Sequence, residues 1–295
     1  MRSFTLRAVT IAVIILVFPF LNASAQSPGQ IVRRSSASAV LDPNNDGYVS
    51  LPLNTGFTTS DITQSEIPFK SIPPSFIEPI GDLATGASGS FTDLVTSTTD
   101  KTGFMSYSDG TNLYFRLRVG SISNGAKAYS VLIDADNKAG NSGSQADPNY
   151  VAPTSQGSGN IGFEWEVLLA TGTSTTVTVN ETDGKNGPNI VQVSQTTNSS
   201  NWQIATALST NSNNPDYFFD FYVPLSAFTG TYALTSSSVF RMVATTVSSP
   251  TSALKGNRSD IFGVNDVLYP STPDGWLAAI NGTPPITLSQ LNSGR

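Results

Sequence analysis

The chain has 295 residues, 15 basic against 21 acidic side chains and a net charge of −6, and it contains neither cysteine nor histidine. Disulfide frameworks, Ser-His-Asp and Cys-His catalysis, structural zinc sites and His-ligated haem are thereby excluded. An acidic chain without a basic cluster repels phosphate backbones, so nucleic acid is not an expected partner.

The first residues, MRSFTLRAVTIAVIILVFPFLNASAQ, combine Arg2 and Arg7, an apolar run from Ala8 to Leu21, and the small-residue pattern Ala23-Ser24-Ala25. This predicts a secretory signal peptide over residues 1–25, because the run is shorter than the roughly 20 residues of a membrane span. The expected location is extracellular, cell-surface or periplasmic, with no membrane insertion after cleavage. Residues 26–103 follow as an irregular lead-in, rich in Pro ("SIPPSFIEPIGD") and in Gly and Ser ("ATGASGSFTD"). Its Phe69, Ile72, Phe76 and Ile80 need burial, so the lead-in is expected to pack onto the domain that comes after it.

From residue 104 to 270 the apolar residues alternate with period two. In "NLYFRLRVG", Leu113, Phe115, Leu117 and Val119 share one face, opposite Tyr114, Arg116 and Arg118. "YSVLIDAD" sets Val131 and Ile133 against Leu132, Asp134 and Asp136. "IGFEWEVLLA" sets Phe163, Trp165, Val167 and Leu169 against Glu164 and Glu166. Further strands are predicted at "TTVTVN", "IVQVSQ", "WQIATALS", "YFFDFYV" and "FRMVATTV". Turn pairs such as Asp109-Gly110 and Asp183-Gly184 separate them. Strands without helical patterns between them predict an all-β fold, an antiparallel β-sandwich of jelly-roll type, each strand half buried. Residues 271–295 read as a loosely attached C-terminal tail.

Several phrases, in order, resemble a known family. They are "LDPNNDGYVS", "NLYFRLRVG", "AYSVLIDADNKAG", "ADPNY", "GFEWEVLLA", "DYFFDFYVP" and "FRMVATTV…SDIFGVND". Together they resemble the N-terminal module of large secreted surface proteins of Bacteroidota-type bacteria, associated with gliding or adhesion. The run "YFRLRV…YSVLIDAD…FEWEVLL" is also similar to DOMON-like sandwiches, which include the family-nine carbohydrate-binding modules. The resemblance spans about Leu41 to Asp266 and implies a surface recognition role. It departs from the family in two ways: no repeats or type IX sorting domain follow within these residues, and the haem-ligating His of some DOMON-like proteins is missing.

Four groups of side chains are candidates for function. Asp134 and Asp136 lie two apart, about 7 Å at ~3.3 Å per strand residue, and lead into a loop bearing Asn137, Asn141 and Asp147. Ca²⁺ takes roughly six to eight oxygens at about 2.3–2.6 Å in irregular geometry. Asp134, Asp136, Asn137 and Asp147, with Glu164 or Glu166 from another strand, are therefore the candidate ligands of a calcium ion; turn chemistry on a wet loop is the alternative. Asp42, Asn44 and Asp46 in "LDPNNDGYVSLPL" copy the first half of an EF-hand loop, but Leu53 replaces the bidentate Glu, which makes this the weaker metal candidate. Glu164 and Glu166 could be an acid/base pair of a glycosidase, or could pair across strands with Arg116 and Arg118. Tyr114, Trp202 and Tyr222 are candidate platforms for sugar rings, as are Tyr217 and Trp276, whereas Trp165 belongs to the core.

The expected protein is a secreted, non-catalytic recognition or adhesion module, stabilised by Ca²⁺, with a glycan or a surface protein as ligand. Two other readings stay open: a carbohydrate-active enzyme using Glu164, Glu166 or Asp220, and a structural spacer of a surface assembly.

Overall fold

A computed structural model describes residues 69–72, 78–79, 81–83, 90–95, 103–122, 125–152, 158–185, 189–196, 201–206, 216–255, 258–269 and 273–292. The predicted signal peptide and the EF-hand-like candidates Asp42, Asn44 and Asp46 lie outside them. The strands are β1 (Lys70–Ser71), β2 (Phe104–Ser108), β3 (Asn112–Val119), β4 (Ala128–Asp134), β5 (Trp165–Ala170), β6 (Thr176–Glu181), β7 (Val191–Thr196), β8 (Trp202–Thr206), β9 (Tyr217–Pro224), β10 (Val239–Val247), β11 (Arg258–Ile261) and β12 (Ile286–Thr287). Two helices follow the last long strands, α1 (Pro273–Gly282) and α2 (Leu288–Asn292). Among the described residues no helix is long and apolar enough to cross a membrane.

The strands form two antiparallel sheets. Sheet 1 has the order β1-β2-β3-β9-β8, and sheet 2 the order β11-β10-β4-β5-β6-β7, with β12 pairing the start of β10. Every strand read from the alternation is present, as β3 to β10. The β2–β3 hairpin turns where Asp109 Oδ1 accepts the N–H groups of Thr111 and Asn112, at 2.8 and 2.6 Å, while Gly110 takes φ of 84°. A carboxylate that caps its own turn in this way fixes the register of both strands.

Period-two alternation supplies the space between the sheets. Leu113, Phe115, Leu117 and Val119 of β3 join Phe219, Phe221 and Val223 of β9. They meet Val131 and Ile133 of β4, Trp165, Val167 and Leu169 of β5, and Phe240 and Met242 of β10. Tyr129 of sheet 2 stacks on Phe219 of sheet 1 with centroids 4.0 Å apart. Burying each such side chain contributes about 1.5–3 kcal/mol, so this layer is the main source of stability.

The outer faces depart from the half-buried expectation. All of β4 is buried, because the outward Ala128 and Leu132, with Leu168 and Val243, carry a second apolar layer. Trp276, Ala279 and Ile280 of α1 lie in that layer, and Phe163 meets Trp276 edge to face at 5.9 Å. Phe163 thus leaves the face predicted for it. Residues 275–292 are likewise no loose tail: Leu288 and Leu291 of α2 enter the inter-sheet core. On the outer face of sheet 1, Arg116 and Arg118 are fully buried. Arg116 Nε and Nη2 each donate to Asp220 at 2.7 Å, and Arg118 Nε donates to Asp216 at 2.8 Å. The predicted pairing of these arginines with Glu164 and Glu166 is therefore wrong, since those glutamates stand on the other sheet.

Candidate metal centre

Sheet register assembles the first acidic cluster. The pairings Arg241↔Asp134 and Ile133↔Trp165 align β10, β4 and β5. One step past the β5 ladder, Glu164 N–H donates to Ile133 O at 3.0 Å. Arg241, Asp134 and Glu164 consequently stand in a row across three neighbouring strand ends. The turn into β5 is held by Asn160, whose Oδ1 accepts from Gly162 and Phe163 N–H at 3.0 and 2.7 Å. Gly162 has φ of +136°, and a Cβ there would come within 2.4 Å of Lys138 O, so the 138–147 loop can lie this close only against glycine.

One oxygen from each of Asp134, Asp136 and Glu164 lies within 4.8 Å of the other two. Asp134 Oδ2 accepts from Arg241 Nε at 2.9 Å, and its Oδ1 from Lys138 N–H at 3.2 Å. Asp136 Oδ1 accepts from the same N–H at 3.0 Å, and its Oδ2 sits 3.1 Å from Lys138 Nζ. Glu164 Oε2 accepts from Ala135 N–H at 2.6 Å. Its Oε1 is buried and has no hydrogen-bond partner among the described residues.

Burial governs the protonation of this cluster. Desolvation pushes Glu164 from its ordinary 4.5 up to about 9, against the Ala135 hydrogen bond and with further pressure from Asp134, Asp136 and Asp147. Asp134 rises to about 6 for the same reason, with Arg241 opposing. A dication beside these oxygens would reverse both shifts, because it favours the charged form.

Three of the predicted ligands, Asp134, Asp136 and Glu164, thus come together. Asn137 adopts φ of 61° and donates Nδ2 to Val239 O at 2.6 Å, while its Oδ1 is buried without a hydrogen-bond partner among the described residues. Asp147 is buried nearby but stands outside the 4.8 Å group, and acts on it through its field. Asn141 is exposed on the loop.

The other predicted site residues have structural partners. Glu166 is fully buried and accepts from Ser130 Oγ, Ala253 N–H and Asn180 Nδ2 at 2.8, 2.8 and 3.1 Å. Asp220 is held by Arg116. Tyr114, expected as a sugar platform, is buried instead, packed between Tyr107 and Tyr222 and donating its hydroxyl to Asp109 at 2.9 Å. Tyr222 and Trp202 are half-buried, and Trp276 is core. Next to Glu164, a groove of about 270 Å³ is lined by Trp165, Glu181, Asp183, Thr229, Thr231 and Tyr232.

A second acidic cluster escaped the sequence reading. Oxygens of Glu78, Asp82 and Asp260 lie within 4.8 Å of one another, and all three residues are buried. Both clusters consist of hard oxygen donors and could hold a metal ion. The signal available in the sequence was the placement of carboxylates inside the apolar phrases "FIEPIGD" and "SDIFGVND". No protein-family model matches the chain, and no curated protein matches it.

Proposed function

We propose that the chain is a secreted, non-catalytic β-sandwich recognition module in which Ca²⁺ pins the 134–147 loop through Asp134, Asp136 and Glu164. One observation carries this reading. Three carboxylates from two strands and a bend converge on one point, and the buried Glu164 Oε1 there lacks a hydrogen-bond partner among the described residues. Buried polar groups left in that state are costly, and a hard cation removes the cost while neutralising Glu164. Asn137 Oδ1 is a fourth oxygen within reach of the same loop, and water completes a calcium shell. The ion's role is to hold an edge in shape, as Asp134 and Glu164 are buried and Asp136 is half-buried.

The same burial weighs against the enzyme reading, since Glu164, Glu166 and Asp220 are at most 1% exposed. An acid/base carboxylate must reach the glycosidic oxygen. The groove beside the cluster, with carboxylate, hydroxyl and aromatic side chains on its walls, suits a sugar's hydroxyls and rings, and it makes a glycan the favoured ligand. The gliding- or adhesion-associated family that the sequence phrases resemble fits such a role.

The test joins metal and ligand. Purified mature protein should carry calcium, and a chelator should lower its melting temperature. Asp134→Ala with Asp136→Ala should shrink that chelator response. A glycan array in calcium buffer should give hits that Asp183→Ala weakens. A chelator response identical in wild type and double variant rejects the loop site, and turnover of a bound glycan rejects the non-catalytic assignment.

A further inference from the structure

The second cluster joins the lead-in to the body of the sandwich. Residues 90–95 cross from one sheet to the other: Leu94 bridges Val119, Val95 N–H donates to Arg118 O at 3.0 Å, and Gly120 N–H donates to Asp93 O at 3.0 Å. On the side of sheet 2, Thr246 Oγ1 donates to Thr92 O at 2.6 Å, and Ser259 Oγ to Thr92 Oγ1 at 2.8 Å. Among the described residues β11 pairs with β10 alone, at the end of the sheet order. The lead-in covers that edge, where a bare row of backbone groups would otherwise face solvent.

Carboxylates are the means of attachment, each through one oxygen. Asp260 Oδ2 accepts from Leu94 N–H at 2.6 Å, Asp82 Oδ2 from Asp266 N–H at 3.0 Å, and Glu78 Oε2 from Gly263 N–H. The remaining oxygens are a different matter. Glu78 Oε1, Asp82 Oδ1 and Asp260 Oδ1 are each buried with no hydrogen-bond partner among the described residues, in side chains 3%, 5% and 0% exposed. Asp266 is also fully buried. Among the described residues one cation, Arg258, faces this group, with Nη2 2.7 Å from Asp266 Oδ1, and its guanidinium lies over the Trp276 ring at 5.4 Å. A single guanidinium does not balance this many acids in a desolvated site.

We propose that Glu78, Asp82 and Asp260 hold a second divalent cation, calcium by its donor set, which fastens the lead-in across the edge of sheet 2. The donors are all oxygen, so the ligand is a hard cation rather than zinc or copper. Mg²⁺ keeps several waters and demands an octahedron, which a dry wall of carboxylates does not offer; Ca²⁺ accepts irregular oxygen shells. The rival occupant is the proton. Burial and mutual repulsion raise Glu78 and Asp260 well above ordinary carboxylates, and Asp260 lies close enough to Asp266 to share one. Protons would neutralise the charge, yet they give no reason for the lead-in segment of Glu78 and Asp82 to meet β11 carboxylate to carboxylate.

The experiment counts ions on the full mature chain by equilibrium dialysis against calcium at pH 7.5. Asp134→Asn, Asp136→Asn and Glu164→Gln together remove the loop site and leave this one intact. That triple variant should retain one calcium per chain, and Glu78→Gln with Asp260→Asn added should abolish it. Wild-type hydrogen exchange, which needs no variant, should show at least tenfold slower exchange of the Leu94, Gly263 and Asp266 amides in calcium than in chelator. A folded triple variant that binds no calcium overturns the proposal. Amide exchange indifferent to calcium, with a melt that follows pH alone, overturns it too and assigns the cluster to protons. A triple variant that keeps its ion while wild type shows two refutes nothing here and confirms the loop site separately.

Discussion

The two acidic clusters use the same side chains to opposite effect. At the loop, Asp134, Asp136 and Glu164 face Arg241 and Lys138, so charge is nearly balanced before any ion arrives. At the lead-in, Glu78, Asp82, Asp260 and Asp266 are all buried, and among the described residues Arg258 is the one cation that faces them. A balanced cluster at a rim tolerates the loss of its ion; an unbalanced one in the interior depends on it. The second should therefore control stability, and the first the shape of a surface.

A third charged group calibrates the pair. Arg116 and Asp220 form a fully buried, doubly hydrogen-bonded pair. Asp220→Ala leaves an uncompensated guanidinium, and breaking such a pair costs about 3–5 kcal/mol. For a domain of this size that lowers the melting temperature by roughly 10 °C or more. Calorimetry should give the same drop in calcium and in chelator; dependence on calcium would show that this pair shares charge with a cation.

Next in size is Asp260→Asn. An ion present at about 100 times its dissociation constant contributes about 2.7 kcal/mol, so in calcium the variant should melt roughly 5–10 °C below wild type. In chelator that deficit should vanish or reverse, because Asn is neutral like the protonated acid and, unlike it, loses nothing to ionisation in the unfolded chain. A deficit of equal size in both buffers would mean lost packing instead of a lost ion.

Glu164→Gln should act more weakly. In calcium it should cost about 1–3 °C, since Arg241 still partners Asp134. In chelator at pH 8 it should raise the melting temperature, because Gln cannot ionise in a site where the carboxylate is disfavoured. An equal loss for Glu164→Gln and Asp260→Asn would erase the distinction between rim and interior.

The same contrast explains what could be read beforehand. Alternation gave the inward faces of β3, β4 and β5 because a strand's period is fixed by its backbone. It also brought out the loop cluster, whose Asp134 and Asp136 are adjacent in the chain and whose Glu164 follows from register. Glu78 and Asp260 are 182 positions apart, and no local pattern connects them. β11 was missed for a related reason: "RSDI" has two charged residues in four, and distant partners, Asp266, Tyr269 and Trp276 for Arg258 and Leu94 for Asp260, make them tolerable in the interior. The helix α1 was concealed by "TPDGW", a turn phrase whose Trp276 is held under Arg258 and Phe163. Tyr114 looked like a ligand platform because alternation cannot say whether an outer face is covered.

The most discriminating measurement is the response to pH. Glu164 lies near 9 in the folded chain against an ordinary 4.5, and Asp266 near 7 against 3.8, both raised chiefly by desolvation. The folded state therefore holds these protons more tightly than the unfolded chain does. Stability linked to them is complete below about pH 4 and is lost as pH rises toward 7 for Asp266 and 9 for Glu164. In chelator the melting temperature should fall steadily from pH 5 to pH 8, by about 5 °C. Calcium competes with the same protons, so its affinity should climb over that interval and flatten or reverse the slope. Glu164→Gln should make the chelator slope shallower across the whole interval, because a carboxyl raised from 4.5 to about 9 is linked to stability on both sides of pH 7, and the slope that remains belongs to Asp134 and the interior cluster. A chelator slope unchanged by Glu164→Gln would place the proton linkage elsewhere, and Glu164 would then be charged without an ion.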